Sequence, residues 1–397
     1  MVEWKPLNKI VKSISTGLNP RQNFILNEKD ASLYYVTVKE ITTNKVVFSD
    51  STDRITENAK QIINIRSKLS KGDILFSGIG TIGKVAYVDI PTSNWDCSES
   101  VFLIKPNELE TKGKYLAYIL SSDIAKNQYE RGAAGAIMKG VRKVTLESLL
   151  IPIPSLEEQT RIVGILDTFT SAIDNLKEQI AQRRKQYEYY RDQLLDLEGK
   201  PGVEMKTLGE VCEIKGRIGF RGYTREDQVE EGEGVISLSP GNIENGQMVY
   251  KGCTYITWEK YEESPEIKTY DGDILFCKTG STVGKVAMVK ELPCEATINP
   301  QLVVLKNITI DSKFLNYILG TYTIQSTVKR LAGVGSVPNI SQEKLGNLTI
   351  PLPPLQEQQR IVSILDTFEA SIQNLEAQLK EREKQYEYYR NKLLTFE

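Results

Sequence analysis

A long internal repeat constrains the fold of this chain more than any other feature. Residues 151–198 and 350–397 align without a gap at an offset of 199 positions, with 29 identities in 48 positions. Duplicated units of this length predict a pseudo-symmetric molecule with two equivalent halves. We therefore expect the chain to meet its target, or its partners, twice.

Each copy of the repeat predicts one long helix with an apolar seam. The seam covers residues 162–197 in the first copy and 361–396 in the second, with spacings that alternate between four and three. This is the heptad pattern of helices that pack on one another. Ser155 followed by Glu158 predicts a capping box at the start of the first helix, which is expected to end just before Gly199.

The segments that precede the two helices are diverged copies of one domain. Their shared anchors are Gly72-Asp73-Ile74-Leu75-Phe76 with Gly272-Asp273-Ile274-Leu275-Phe276, and Gly83-Lys84-Val85-Ala86 with Gly284-Lys285-Val286-Ala287. Short β-rich runs at 34–38, 74–76, 84–88 and 101–104, with a helical segment near 115–129, predict an α+β domain. The predicted organisation is a domain over 1–150, a helix over 151–198, a domain over 203–349 and a helix over 350–397.

Chain order predicts how the two helices pack. The second domain begins directly after the first helix and ends directly before the second helix. Because the ends of a compact domain usually lie close together, the second helix should run antiparallel to the first. The predicted fold class is α+β, with two pseudo-symmetric domains separated by two long antiparallel helices that form a coiled coil.

Composition excludes several classes of site. The chain has no histidine, which rules out histidine metal ligands, histidine general bases and Ser-His or Cys-His nucleophilic pairs. Its five cysteines have no C-x-x-C spacing, so reduced thiols and a cytoplasmic location are expected. No apolar run approaches about 18 residues, so neither a membrane span nor a signal peptide is expected.

Four basic, glycine-rich clusters occur at equivalent places in the two halves and predict contacts with DNA. A net charge of −2 is weak evidence, because phosphate binding needs cations on only one face. A solvated loop remains the alternative for any single cluster. The candidate DNA-binding residues are Arg21, Thr81, Lys84, Arg131, Lys139, Arg142 and Lys143 in the first half, and Arg217, Arg221, Tyr223, Arg225, Ser281, Lys285, Lys329, Arg330 and Asn339 in the second.

A G-x-G-x-x-G pattern at 78–83 does not predict a nucleotide site. A P-loop would need Ser or Thr after Lys84 to hold magnesium, and the residue there is Val85. A dinucleotide site would need a helix to follow the third glycine, whereas 85–88 reads as a strand. We interpret the pattern as a tight β-turn, with possible phosphate contacts from Thr81 and Ser281.

The order of these motifs resembles the specificity subunit of Type I restriction-modification systems. The most specific part is Ile-Pro-x-Pro-x-Leu-x-Glu-Gln-x-Arg-Ile, which occurs at 151–162 and again at 350–361. The resemblance covers the whole chain. It implies two target-recognition domains that each read one half of a split site in double-stranded DNA, with conserved helices that fix their separation.

The resemblance also implies partners and a division of labour. Two modification (methyltransferase) subunits and the motor-nuclease restriction subunits would dock on this chain, which would itself be non-catalytic. S-adenosylmethionine and ATP would bind to those partners. The candidate partner-binding residues, which could also merely cap and solvate the helices, are Glu158, Gln159, Arg161, Glu357, Gln358 and Arg360.

Two other functions remain to be weighed. A coiled-coil scaffold protein without DNA recognition would explain the helices, but not the divergence of the domains around fixed anchors. A nucleotide-using enzyme built on the glycine-rich turn would need the motifs that are missing after Lys84.

Overall fold

The computed structural model describes residues 2–42, 44–132, 140–217, 223–333, 335 and 337–396. The chain divides into two compact units, which are described separately. One unit comprises Met1–Lys177 with Ala377–Glu397, and the other comprises Glu178–Glu376. Each unit therefore contains one globular segment and a part of both long helices.

The first unit contains a globular α+β segment, the first long helix as far as Lys177, and the end of the second. Its elements are β1 (Glu3–Pro6), α1 (Leu7–Ile10), β2 (Val11–Thr16), α2 (Pro20–Asn23), β3 (Leu33–Val36), β4 (Ile41–Thr42), β5 (Lys45–Val46), β6 (Arg54–Ile55), α3 (Glu57–Arg66), β7 (Ile74–Ser77), β8 (Val85–Tyr87), β9 (Trp95–Cys97), β10 (Val101–Pro106), α4 (Gly113–Leu120), α5 (Asp123–Gly132), α6 (Lys143–Glu147), β11 (Leu150–Ile153) and the long helix α7 (Leu156–Leu194).

The second unit repeats this arrangement, beginning within α7 and ending within the second long helix. Its elements are β12 (Glu204–Thr207), α8 (Leu208–Val211), β13 (Glu213–Lys215), β14 (Gln228–Val229), β15 (Val235–Leu238), β16 (Ile243–Glu244), β17 (Gln247–Met248), β18 (Thr254–Ile256), α9 (Trp258–Glu262), β19 (Ile274–Cys277), β20 (Val286–Met288), β21 (Ala296–Ile298), β22 (Leu302–Lys306), α10 (Ser312–Leu319), α11 (Tyr322–Ala332), α12 (Gln342–Gly346), β23 (Thr349–Leu352) and α13 (Leu355–Leu394), with 3-10 turns at Pro240–Asn242 and Pro265–Ile267.

The two globular segments have closely similar sheet topologies, although the second has one additional edge strand, β14. An antiparallel sheet has the order β2-β10-β7-β8 in the first unit and β13-β22-β19-β20 in the second. A further sheet has the order β6-β3-β9 in the first unit, and the matching sheet β14-β18-β15-β21 in the second. A third strand pair, β1 with β11 or β12 with β23, joins the start of each globular segment to the residues that enter the long helix.

The long helices pack antiparallel within each unit. In the first unit Phe169 of α7 stacks on Tyr389 of α13 with ring centroids 5.2 Å apart, and Lys177 pairs with Glu383 at 3.1 Å. Positions that lie later in α7 therefore meet positions that lie earlier in α13. In the second unit Tyr190 stacks on Phe368 and Arg184 pairs with Glu376, which gives the same direction. The predicted antiparallel pairing is confirmed.

A repeated polar contact fixes each globular segment on its long helix. In the first unit the Tyr118 hydroxyl donates to Asp167 of α7 at 2.7 Å, and the Lys114 ammonium donates to the same carboxylate at 2.7 Å. The second unit holds the matching set, in which Lys313 and Tyr317 bind Asp366 of α13. The apolar core continues from each globular segment onto the seam of the helices, for example at Leu166 and Leu365.

Three local expectations differ from the structure. α7 ends at Leu194 rather than just before Gly199, because Leu195 and Leu197 leave the helix and are buried in the core of the second unit. The segment expected near 115–129 forms two helices, α4 and α5, rather than one. The capping box is only half formed, since the Ser155 hydroxyl accepts from the Glu158 amide but the Glu158 carboxylate binds Arg161.

The described residues contain neither a membrane-spanning helix nor a disulfide bond. None of their helices is both long enough and apolar enough to cross a membrane. All five cysteines, which lie in that part of the chain, are free thiols as predicted.

The first unit contains a buried carboxyl group that should make its stability depend on pH. Asp96 of β9 is fully buried, and its Oδ2 atom makes no hydrogen bond to any described residue. Burial raises the pKa of this carboxyl to about 7. Thr297 occupies the matching strand position in the second unit, and its hydroxyl donates to the Ile267 carbonyl.

We expect the first unit to lose stability as the pH rises from about 4 to about 7. Over this range the unfolded chain ionises Asp96 while the folded chain keeps it protonated, so the free energy of unfolding should fall by roughly 3–4 kcal/mol. Asp96→Asn should remove this fall, which can be measured from denaturation midpoints followed by the fluorescence of the buried Trp95. Asp96→Thr, which copies the second unit, is the matched control and should behave in the same way. An unchanged pH profile in both variants would contradict this role of Asp96.

Candidate nucleic-acid interface

Three loop segments of the first unit lie side by side beyond the end of β7. The amide of Gly78 donates to the carbonyl of Ser100 at 2.9 Å, and the carbonyl of Gly78 accepts from the amide of Val141 at 2.8 Å. Ile79 and Gly140 form an isolated antiparallel bridge. The glycine-rich turn thus lies between the loop that precedes β10 and the segment that enters α6.

The second unit repeats this arrangement at equivalent positions. The amide of Lys278 donates to the carbonyl of Gln301 at 2.9 Å, and the carbonyl of Lys278 accepts from the amide of Ile340 at 2.9 Å. Thr279 and Asn339 form the matching bridge. We call these hydrogen-bonded backbone segments, 78–79 with 100 and 140–141, or 278–279 with 301 and 339–340, the shared frame.

Two of the basic clusters border the shared frame. In the second unit the amide of Asn339 donates to the carbonyl of Ala332 at 3.1 Å, which places the last turn of α11, with the exposed Lys329 and Arg330, next to the frame. In the first unit Arg142 directly follows Val141, and its side chain is exposed. The structure therefore brings together cations and a glycine-rich turn that are far apart in sequence, as a phosphate-binding surface requires.

Most of the remaining DNA-binding candidates have exposed side chains. The G-x-G-x-x-G segment is the tight turn of the β7-β8 hairpin, as predicted, and both Thr81 and Ser281 are exposed. Arg21, Arg131, Lys143, Arg225, Lys329, Arg330 and Asn339 are also exposed, and Tyr223 is half-buried. Lys139 and Arg221 lie outside the described residues.

The two lysines after the glycine-rich turns bind backbone carbonyl groups inside their own domains. Lys84 donates from Nζ to the Val38 carbonyl at 3.0 Å. Lys285 donates from Nζ to the carbonyls of Pro240 and Ile243 at 3.2 and 2.9 Å. This geometry supports a structural role, in which each lysine holds the loop that follows β3 or β15 next to the glycine-rich turn.

Arg217 is buried, whereas a DNA-binding arginine is expected at the surface. Its side chain is 7% exposed, and Nε donates to the carbonyl of Ile298 at 2.9 Å. Burial lowers the pKa of the guanidinium group from its ordinary value. The matching residue of the first unit is Gly17, where an added Cβ would lie 1.7 Å from the carbonyl oxygen of Cys97. Arg217 therefore packs inside the domain rather than at its surface.

The first turns of α7 and α13 have the same structure in both units. The partner-binding candidates there form two groups, one buried and one exposed. Gln159 is fully buried, and its Oε1 accepts from the Lys112 amide at 2.8 Å. Gln358 is buried in the same way and accepts from the Asp311 amide at 3.1 Å. These two glutamines hold the loop before α4 or α10 against the helix, so neither presents its side chain to a partner.

The other entrance residues form an exposed ion pair in each unit. Arg161 binds Glu158 through Nε at 2.7 Å and Nη2 at 2.6 Å, and Arg360 binds Glu357 through the same two atoms at 2.7 Å each. The hydrogen bonds from arginine lower the pKa of both carboxyl groups. Each unit therefore presents the same exposed ion pair in the first turns of its long helix.

The frame also contains residues that the sequence patterns missed. Lys278, Asn299 and Gln301 lie at or beside it, but they belong to none of the basic clusters. Only a comparison of the two halves at an offset of 200 or 201 positions could have indicated them, because it aligns them with Gly78, Ser98 and Ser100. Among the described residues, no group of three or more Cys, Asp or Glu side chains could hold a metal ion.

Comparison with known proteins gives consistent matches along the whole chain. The family model described as "Type I restriction modification DNA specificity domain" matches residues 1–183 and again residues 201–383. The EcoR124I/EcoR124II specificity subunit of Escherichia coli is 29% identical, over 100% of this chain and 94% of the relative. The putative MjaX specificity subunit of Methanocaldococcus jannaschii is 27% identical, over 99% of this chain and 92% of the relative.

Solved structures share the fold. A chain from a study of complex assembly and conformational transition of the type I R-M system has a TM-score of 0.61 and 21% identity, with 99% of this chain and 97% of that chain covered. The S subunit of a Type I restriction-modification system from M. genitalium has a TM-score of 0.56 and 18% identity, with 100% and 97% covered.

Proposed function

This chain belongs to the family of Type I restriction-modification DNA specificity domains, and on that premise we propose that it reads a bipartite site in double-stranded DNA. Each globular domain contacts one half-site. The shared frame, bordered by cations, lies against the duplex, where phosphate contacts fix the orientation and a few side chains read base edges.

One observation supports this proposal above the others. The same backbone hydrogen bonds hold the frame in both units, from Gly78 to Ser100 in one and from Lys278 to Gln301 in the other, while the side chains on it differ. A scaffold protein without DNA recognition has no need of a constant frame with unlike side chains. A reader of two unlike half-sites requires this combination, because base edges are distinguished by side-chain chemistry.

The proposal assigns the chemistry to partners. Two modification subunits and the restriction subunits assemble with this chain, which carries out no catalytic step itself. S-adenosylmethionine and ATP bind to those partners. The two equivalent surfaces around Glu158 with Arg161 and Glu357 with Arg360 are the proposed contacts, since identical partners require matching surfaces.

A selection experiment tests the proposed reading function. The chain, purified together with its modification subunits, is mixed with a pool of random duplexes, and the bound duplexes are sequenced. We expect two short conserved blocks separated by a fixed number of unspecified base pairs. Absence of duplex binding by the assembled complex would favour the scaffold function, and retention of the whole pool without enrichment would contradict sequence-specific reading.

Exposed cations beside the frame should control the salt dependence of binding. Replacing both Lys329 and Arg330 by alanine should weaken DNA binding by the assembled complex and lower the slope of log affinity against log salt by about two units, since each lost phosphate contact removes about 0.9. Replacing Lys380 and Lys384, which are exposed on α13, removes the same charge and should leave the slope unchanged. Equal slopes in the two double variants would place the end of α11 away from DNA.

A further inference from the structure

We propose that the second globular domain reads adenine through the side-chain amides of Gln301 and Asn339. The proposal rests on the function proposed above and identifies side chains that distinguish one half-site from the other. Both residues lie on the shared frame of the second unit, and both side chains are exposed.

The two frames hold different side chains at the same backbone positions. Ser100 in the first unit and Gln301 in the second each accept a backbone hydrogen bond from the turn residue at 2.9 Å. Gly140 and Asn339 each form the bridge on the other side of that turn. The first unit thus presents a short hydroxyl and no side chain, where the second presents two amides.

Each amide is held by its oxygen atom. The Thr279 hydroxyl donates to Oδ1 of Asn339 at 2.7 Å, and Nδ2 of Asn299 donates to Oε1 of Gln301 at 3.3 Å. Within the part of the chain that the structure describes, neither amide nitrogen donates a hydrogen bond, and each oxygen retains a second lone pair. Each side chain can therefore donate and accept at once, while a neighbouring residue restrains its orientation.

This combination matches adenine. Asn and Gln bind adenine in the major groove with two hydrogen bonds, in which the amide oxygen accepts from N6 and the amide nitrogen donates to N7. In the first unit the corresponding Ser98 and Ser100 hydroxyls bind each other at 2.6 Å, and a serine cannot span both adenine atoms in this way. The first domain must read its half-site with other residues, so the two half-sites should differ in sequence.

The test uses isosteric variants that change only the donor. In Gln301→Glu and Asn339→Asp the carboxylate oxygen still accepts from Asn299 or Thr279, so the internal hydrogen bonds remain, but the donor to adenine N7 is lost. Methylated sites are mapped in cells that carry each variant with its partner subunits. We expect each variant to lose adenine at one position of one half-site, with a shift toward cytosine, whose N4 group donates to a carboxylate.

A matched control tests whether an added negative charge elsewhere on the domain is enough to change the recognised sequence. Gln228→Glu makes the same chemical change at an exposed residue of β14, at the opposite edge of the β14-β18-β15-β21 sheet from the loop that contains Gln301. It should leave both half-sites unchanged. Denaturation midpoints of the purified complexes show whether each variant is folded.

The outcomes distinguish this inference from the proposed function. If the wild-type assembly methylates without sequence preference, the proposed function fails. If the wild type has a bipartite motif that both amide variants keep, only this inference fails.

If a variant no longer methylates, binding to duplexes with each base at each position decides the matter. We expect the preference for the wild-type base to fall about ten- to hundredfold at one position. An equal loss of affinity for all duplexes would contradict the inference.

Discussion

Exchange of residues 7–149 for the matching segment of another specificity subunit should replace one half of the recognised DNA site and leave the other half unchanged. The first shared frame and its border of cations lie within this segment. The segment also ends where the structure permits a clean junction, because the amide of Leu7 donates to the carbonyl of Leu149 at 2.8 Å. The strand pair of β1 with β11, of which β11 leads into α7, stays intact outside it.

The reciprocal exchange provides the control. Residues 208–348 of the second unit are bounded by the same hydrogen bond, from the amide of Leu208 to the carbonyl of Leu348 at 2.8 Å. Their exchange should change only the other half-site. Mapping of methylated sites checks both chimaeras, and a change in both half-sites from a single exchange would contradict independent reading by the two domains.

Insertion of seven residues into each long helix should widen the gap between the half-sites. Seven residues after Ile180 and after Leu379 preserve the heptad phase, so the antiparallel pairing should remain. Each helix lengthens by about 10 Å at 1.5 Å per residue. If the helices set the distance between the readers, the gap should grow by at most about three base pairs, at 3.4 Å each.

The sequence of each half-site should stay the same in this variant, because no residue of either frame changes. An insertion of four residues at the same places is the control. It moves the apolar seam out of phase and should disrupt folding or assembly. An active seven-residue variant with an unaltered gap would show that the helices do not set the spacing.

Sequence patterns predicted the helices and their pairing because these depend on local periodicity. The heptad seam and the chain order predict that the two helices run antiparallel. They do not predict which residues meet, such as Phe169 and Tyr389. The end of α7 was harder to predict, because Leu197 continues the apolar spacing but is buried, like Leu195, in the second unit outside the helix. Local spacing cannot tell a seam position from a core position of a neighbouring domain.

The candidate site could be predicted only as separate clusters. The frame depends on backbone hydrogen bonds between segments that are far apart in sequence, such as Ile340 with Lys278 at 2.9 Å. A basic pattern also does not reveal burial, which is why Arg217 appeared to be a surface cation although its guanidinium binds the Ile298 carbonyl. Gln159 and Gln358 are further examples, since polar residues at a helix entrance are usually exposed but these two are buried.

The most direct test of bipartite reading is a map of the methylated sites in DNA from cells that carry this chain with its modification subunits. We predict one motif with two specified blocks of different sequence, separated by a constant number of unspecified base pairs, and the motif should disappear when this chain is removed. Methylation at a single uninterrupted block, or at the same sites without this chain, would contradict the account.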